Sequence, residues 1–117
     1  MTSSTIEHPL PEPLIELVAE RFRVLGEPFR IKLLDRLYEG EASVGELRAA
    51  VGASQQNVSK HLGILHAAGM VSREKRGNRT VYAISDPDLF ELCELVCGGI
   101  RRRLDELDEI VPAVGRG

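Results

Sequence analysis

The stretch Ser54–Tyr82, SQQNVSKHLGILHAAGMVSREKRGNRTVY, decides the fold of this 117-residue chain. In its first half, Val58, Leu62 and Leu65 are spaced by four and three, which puts them on one face of a helix. Ser54 is suited to cap that helix, because its hydroxyl accepts from amides of the first turn. Gly69 is suited to stop it. The second half, MVSREK and RTVYAI, reads as two strands flanking the tight turn Arg76-Gly77-Asn78. Opposite the apolar stripe, the helix shows Gln56, Ser59, Lys60, Gly63 and Ala67. That face is polar at its start and small further along, so it fits a major groove about 12 Å wide.

Upstream, residues 1–12 hold two of the six prolines and little periodicity, the pattern of a mobile N-terminal arm. A first helix is predicted from near Pro13, with Leu14, Leu17, Val18, Phe22 and Leu25 at helical spacing. Pro28 opens a second helix, apolar on more than one side. EGEAS reads as a turn, and Ser43 with Glu46 forms a capping box for a short third helix ended by Gly52. The break Gly52-Ala53-Ser54 between third and fourth helices has the length of a helix-turn-helix connection. Downstream, Ser85 or Asp86 caps a last helix that opens at Pro87 and runs to about Val111. The expected fold is mainly α with a small β-hairpin (α+β). It is a winged helix-turn-helix, in the order four helices, two strands, one helix. Residues 13–111 form its one domain, and residues 112–117 a flexible tail.

The formal net charge is -3, but it is unevenly divided. Residues 43–80 carry six Lys and Arg against two Asp and Glu, while the segments on either side are acidic. Within the hairpin, Arg73, Lys75, Arg76 and Arg79 lie in seven residues with only Glu74 opposing. Phosphate contacts depend on local potential, so an acidic chain with such a patch can bind double-stranded DNA. The expectation is one continuous cationic surface made by the fourth helix and the hairpin. Side-chain amides at Gln55, Gln56 and Asn57 can pair with base edges, and the free backbone amides at the helix start suit a phosphate. Ordinary solvated faces, or a charged edge hairpin that deters aggregation, are the alternatives. Aromatic content is 4% with no Trp, which argues against base-stacking platforms. Charges interrupt every apolar run short of a membrane span, so no membrane partner is expected. The start MTSSTIEHPLPEP lacks a secretory pattern, and with only two cysteines the expectation is a cytoplasmic protein with free thiols.

Several motifs together resemble the arsenic-repressor type (ArsR/SmtB) of bacterial transcription regulators. They are Leu25-Gly26-x-Pro28-x-Arg30, SVGEL at 43–47, Ser54-Gln55, Val58-Ser59-x-His61-Leu62 and AAGMV at 67–71. The resemblance covers about residues 14–110. It implies a homodimeric repressor whose fourth helix enters the major groove and which an inducer releases from a near-palindromic operator. It also implies DNA contacts by Gln55, Gln56, Ser59, Lys60 and His61 on that helix, and by Arg76, Asn78 and Arg79 on the wing. His61 sits between the core face and the groove face, so a packed histidine is the alternative there.

The chain departs from the family's sensing sites. SVGELRAA has no cysteine where the family's metal box has them, and the last helix has no histidine. Cys93 and Cys97 remain, four apart on the last helix. An intrahelical disulfide would be strained at that spacing. Three readings stay open for the pair: small buried hydrophobes, a redox switch, or ligands of a thiophilic metal or metalloid ion completed by a second subunit. Leu89, Cys93, Val96, Ile100, Leu104, Leu107 and Val111 form one apolar stripe, with Cys97 at its edge. That stripe and the first helix exceed what a small domain covers by itself, which points to a homodimer through the first and last helices. A winged helix that binds protein without DNA is the rival reading. No enzyme is expected, since the acidic and apolar neighbours of both cysteines disfavour a nucleophilic thiolate.

Overall fold

Capping residues divide this chain into its helices, and glycines aim the turns between them. The structure is a computed structural model that describes residues 6–110. It falls into two compact units, one ending at Ser85 and one beginning at Asp86. The first unit contains α1 (Glu12–Leu25), α2 (Pro28–Leu37), β1 (Ala42–Ser43), α3 (Val44–Val51), α4 (Gln55–Ala67), β2 (Val71–Arg76) and β3 (Arg79–Ile84). The second contains α5 (Asp88–Ile110). The expected tail and Val111 lie outside the described residues, as do residues 1–5 of the expected arm.

Prolines open α1 and α2, where their fixed φ suits the first turn and no amide bond is lost. At α3 the capping box is complete: the Glu46 amide donates to Ser43 Oγ at 3.2 Å, and the Ser43 amide donates to Glu46 Oε1 at 2.8 Å. The Asn57 amide donates to Ser54 Oγ at 3.1 Å, which starts α4 three residues after α3 ends. The α4 C-terminus is a Schellman motif. Gly69 adopts φ 76° and donates to His66 O, and the Met70 amide donates to Leu65 O. Asp86 Oδ1 accepts from the Asp88 amide at 3.0 Å and so takes the capping role ahead of α5.

The three strands pair antiparallel in the order β1-β3-β2. Arg76 pairs with Arg79, so the hairpin closes through only Gly77 and Asn78. Gly77 has φ 66° and Asn78 does not have a positive φ, the pattern of a type II′ turn. β1 corrects the expectation that EGEAS is only a turn and that the sheet has two strands. Ala42 pairs with Tyr82, and Ser43 with Val81. Two residues are too few to show the alternation that marks a strand; the open edge of β3 recruits them.

The core of the first unit joins Leu33, Leu34 and Leu37 of α2 to Leu47 of α3 and to Val58, Leu62 and Leu65 of α4. Met70, Val71, Val81 and Tyr82 bring in the base of the sheet. Among the described residues no polar or charged residue is buried, so burial here is almost purely apolar. Leu62 has no solvent exposure. Leu62→Ala should therefore lower unfolding stability by about 2–5 kcal/mol, against about 1 kcal/mol for loss of the Ser43 cap in Ser43→Ala. Denaturant unfolding at fixed protein concentration checks this; a Leu62→Ala loss no larger than that of Ser43→Ala would contradict the packing described.

Candidate nucleic-acid interface

Burying Val58, Leu62 and Leu65 forces the other side of α4 outward. Ser54, Gln55, Gln56, Asn57, Ser59 and Lys60 are all exposed. Ser54 is occupied as the N-cap, and the side chains of Gln55, Gln56 and Asn57 project from the first turn. Lys60 has no ion-pair partner among the described residues. This gives one helix start with amide groups, a hydroxyl and a cation, next to the positive end of the helix dipole.

His61 is neither wholly core nor wholly surface. It is half-buried, its ring centroid lies 4.9 Å from that of Phe29, and its Nδ1 is 3.1 Å from Arg30 Nη1. A guanidinium can only donate, so Nδ1 accepts and the ring is neutral. Burial pushes the His61 pKa below its ordinary value, and the charges of Arg30 and Lys60 add to that shift. The Arg30 guanidinium also donates from Nε to Val24 O at 2.7 Å and from Nη2 to Arg23 O at 3.5 Å, both at the end of α1. Only the Pro28-x-Arg30 motif marked Arg30 in the sequence, and the motif alone does not say what the side chain reaches.

The wing is less uniformly positive than its sequence. Arg73 and Lys75 share one face of the hairpin with Thr80 and Tyr82, whereas Glu74, Arg76 and Arg79 lie on the other with Val81. One continuous cationic surface is thus corrected to two basic pairs on opposite sheet faces, because side chains alternate along a strand. Arg73 and Lys75 have no ion-pair partner among the described residues. Arg76 pairs with Glu41, 35 residues away, and with Glu74 at 2.7 Å. Arg79 lies 3.4 Å from Glu46. With Ala42 and Val81 these groups line a shallow cleft of about 280 Å³. The hydrogen bond from Arg76 holds the Glu41 carboxyl below its usual range, and bonds from Ser43 do the same for Glu46. All four side chains remain about half exposed, at 48% to 59%, so the pairs are screened and exchangeable. Neither glutamate stood out as a partner, because each is far from the wing in sequence. Asn78 occupies the turn and is exposed.

Cys97 is exposed and Cys93 half-buried on α5, so neither is a fully buried hydrophobe in the single chain. Among the described residues no group of three or more His, Cys, Asp or Glu gathers that could hold a metal ion. Two thiols fall short of the four ligands of a closed zinc-type site, so a resident metal does not fit the single chain. No helix among the described residues is long and apolar enough to cross a membrane.

Comparison with known proteins agrees with this fold. Residues 27–73 match the family model described as bacterial regulatory protein, arsR family. The uncharacterized HTH-type transcriptional regulator Rv0081 of Mycobacterium tuberculosis is 45% identical over 82 residues, covering 69% of this chain and 72% of that protein. Its crystal structure superposes with a TM-score of 0.76 at 40% identity, over 82% of this chain and 97% of the other. The transcriptional repressor SmtB of the same organism is 36% identical over 88 residues, covering 75% of this chain and 65% of the repressor. The homodimeric winged helix-turn-helix DNA-binding domain of Mb0332 from Mycobacterium bovis gives a TM-score of 0.73 at 26% identity, over 86% of this chain and 95% of that domain.

The depressed pKa of His61 has a consequence for stability. A base that prefers its neutral form when folded stabilises the fold above its unfolded pKa, near 6.5, and loses that contribution as pH falls through the lower folded value. The thermal midpoint should therefore fall on acidification just below pH 6.5, before the window below 4.5 in which Glu41 and Glu46 titrate. His61→Gln should flatten the upper part of that profile only. Parallel profiles for variant and wild type would show that His61 is not held neutral.

Proposed function

The chain belongs to the ArsR family of bacterial regulatory proteins, winged helix-turn-helix transcriptional regulators, and from that premise we propose that it is a homodimeric repressor. In this reading two α4 helices enter successive major grooves of a near-palindromic operator, about 34–36 Å apart. Gln55, Gln56 and Asn57 meet base edges; Ser54, Ser59, Lys60 and His61 meet the groove rim; Arg73, Lys75, Arg76, Asn78 and Arg79 of the wing meet the phosphate backbone or the neighbouring minor groove. The observation that carries this reading is the three-residue connection from α3 to a capped α4 whose first-turn amide side chains are all exposed. Similarity to a transcriptional repressor and to a homodimeric DNA-binding domain supports it.

The dimer is assigned to α1 and α5. Leu17 and Phe22 of α1 are 68% and 58% exposed, and Leu95, Ile100 and Leu104 of α5 are 55% to 68% exposed. Apolar faces of that extent are what a second copy would cover. Phe22→Glu or Leu104→Glu should convert a sedimenting dimer to monomer and weaken operator binding. A wild-type chain that sediments as a monomer at micromolar concentration would overturn the assignment.

Arg79→Ala is expected to weaken binding on every sequence and to make the slope of log affinity against log salt shallower, by about 0.9 for each phosphate no longer neutralised. Gln56→Ala should instead relax sequence preference, by about 1–3 kcal/mol at the base it reads. Glu41→Gln should tighten binding, because the carboxylate that competes with phosphate for Arg76 is gone. Salt-titrated binding checks all three, and Arg79→Ala and Gln56→Ala variants that both match wild type would reject the DNA-facing roles given to these residues.

For release, this reading assigns Cys93 and Cys97 to a thiol-reactive inducer, on the strength of their one-turn spacing and the exposure of Cys97. Cys93→Ser and Cys97→Ser, alone and together, should lose the release of operator by arsenite, mercuric ion, peroxide or persulfide that wild type shows. Equal responses would return both thiols to a packing role.

A further inference from the structure

Arg30 reaches further than closing a helix end requires. Its Nε and Nη2 donate to two carbonyls in the last turn of α1, where carbonyls run short of amide partners. Its Nη1 reaches 31 residues along the chain to His61 Nδ1 at 3.1 Å. One planar fork therefore joins α1, α2 and α4, and its rigidity transmits the α1 end to the imidazole orientation. Phe29, the preceding residue of α2, packs against the same ring at a tilt of 48°. With Nδ1 committed as an acceptor, the ring proton must sit on Nε2, across the ring from Arg30. His61 Nε2 has no hydrogen-bond partner among the described residues. An oriented N–H of this kind, on the helix that also exposes Ser59 and Lys60, suits an anionic oxygen.

We propose that Arg30 is a positioning residue for DNA binding: it locks His61 as the Nε2–H tautomer, so that α4 presents a single aimed donor to a backbone phosphate at the rim of the groove. This rests on the reading of α4 as the DNA-contacting helix. Arg30 itself touches no DNA; it acts through His61. The phosphate contact carries no base information, so removing it weakens binding without changing the preferred sequence.

The test uses the full chain and a duplex of about 30 base pairs, long enough for two half-sites a turn apart, enriched by the wild-type chain from a random-sequence pool. Arg30→Lys keeps the charge and loses the fork; Arg30→Met removes both. Binding should fall about tenfold in Arg30→Lys and in His61→Ala, with the double variant no weaker than His61→Ala alone and the enriched sequence unchanged. Nitrogen-15 shifts of the labelled His61 ring, read without DNA, should show the Nε2–H tautomer in wild type and a mixture in Arg30→Lys. The tautomer readout keeps the test decisive if Arg30→Met fails to fold. Additive losses in the double variant, or an unchanged tautomer in Arg30→Lys, would overturn the proposal while leaving the repressor reading intact. If wild type enriches no duplex at all, the repressor reading falls first and this proposal with it.

Discussion

The buried stripe of α4 is the constraint on which the rest of the first unit depends. Val58, Leu62 and Leu65 have no solvent exposure, and α4 packs against α2 and α3, which bury Leu33, Leu34, Leu37 and Leu47. Rotating α4 about its axis would move that stripe out of the core, at several kcal/mol for three fully buried side chains. The rotation is therefore fixed, and so is the direction of Gln56, Ser59 and Lys60. Ser54 sets where the helix begins, and the Schellman turn at Gly69 sets where it ends and returns the chain to β2. Position, rotation and length of α4 thus follow from one apolar stripe and two end motifs.

The wing works by a different balance. Its base is anchored through Val71, Val81 and Tyr82, while its tip is solvated and charged. Glu41 and Glu46 approach the tip from β1 and α3 and pair with Arg76 and Arg79. Exposed pairs of this kind contribute little to stability. Their larger effect is to moderate the field that the arginines present to any anion. Arg73 and Lys75, on the opposite sheet face, have no such partner among the described residues. With a net charge of -3 and a moderated basic tip, the chain exerts little long-range attraction on a polyanion.

Arg30 links α4 to α1. Its fork closes the end of α1 and reaches α4 at His61, so the helix whose outer face carries Leu17 and Phe22 is joined through one α2 side chain to the helix that carries Gln56. The Arg21 guanidinium adds a second link from α1, donating to Ala68 O at the far end of α4 at 3.2 Å. Both the middle and the far end of α4 are therefore tied to neighbouring helices by arginines that donate to a carbonyl or to an imidazole. The second unit carries a long apolar face of its own on α5, together with both cysteines.

Much of this was legible in the sequence, because it depends on residues close to one another along the chain. Caps at Ser43 and Ser54, prolines at helix starts, Gly77 in the hairpin turn and the four-and-three spacing of α4 act through local backbone geometry and periodicity. They determined the helices, the hairpin, the helix-turn-helix break and which side of α4 faces out. Tertiary structure alone decided what depends on distant partners. The pairing of Ala42 and Ser43 with β3 needs an open strand edge, the quenching of Arg76 and Arg79 needs carboxylates 35 and 33 residues away, and the protonation of His61 needs an arginine 31 residues away. Local signals specify where the backbone turns, whereas the charge and tautomer of a side chain are set by whatever the fold brings within about 4 Å of it.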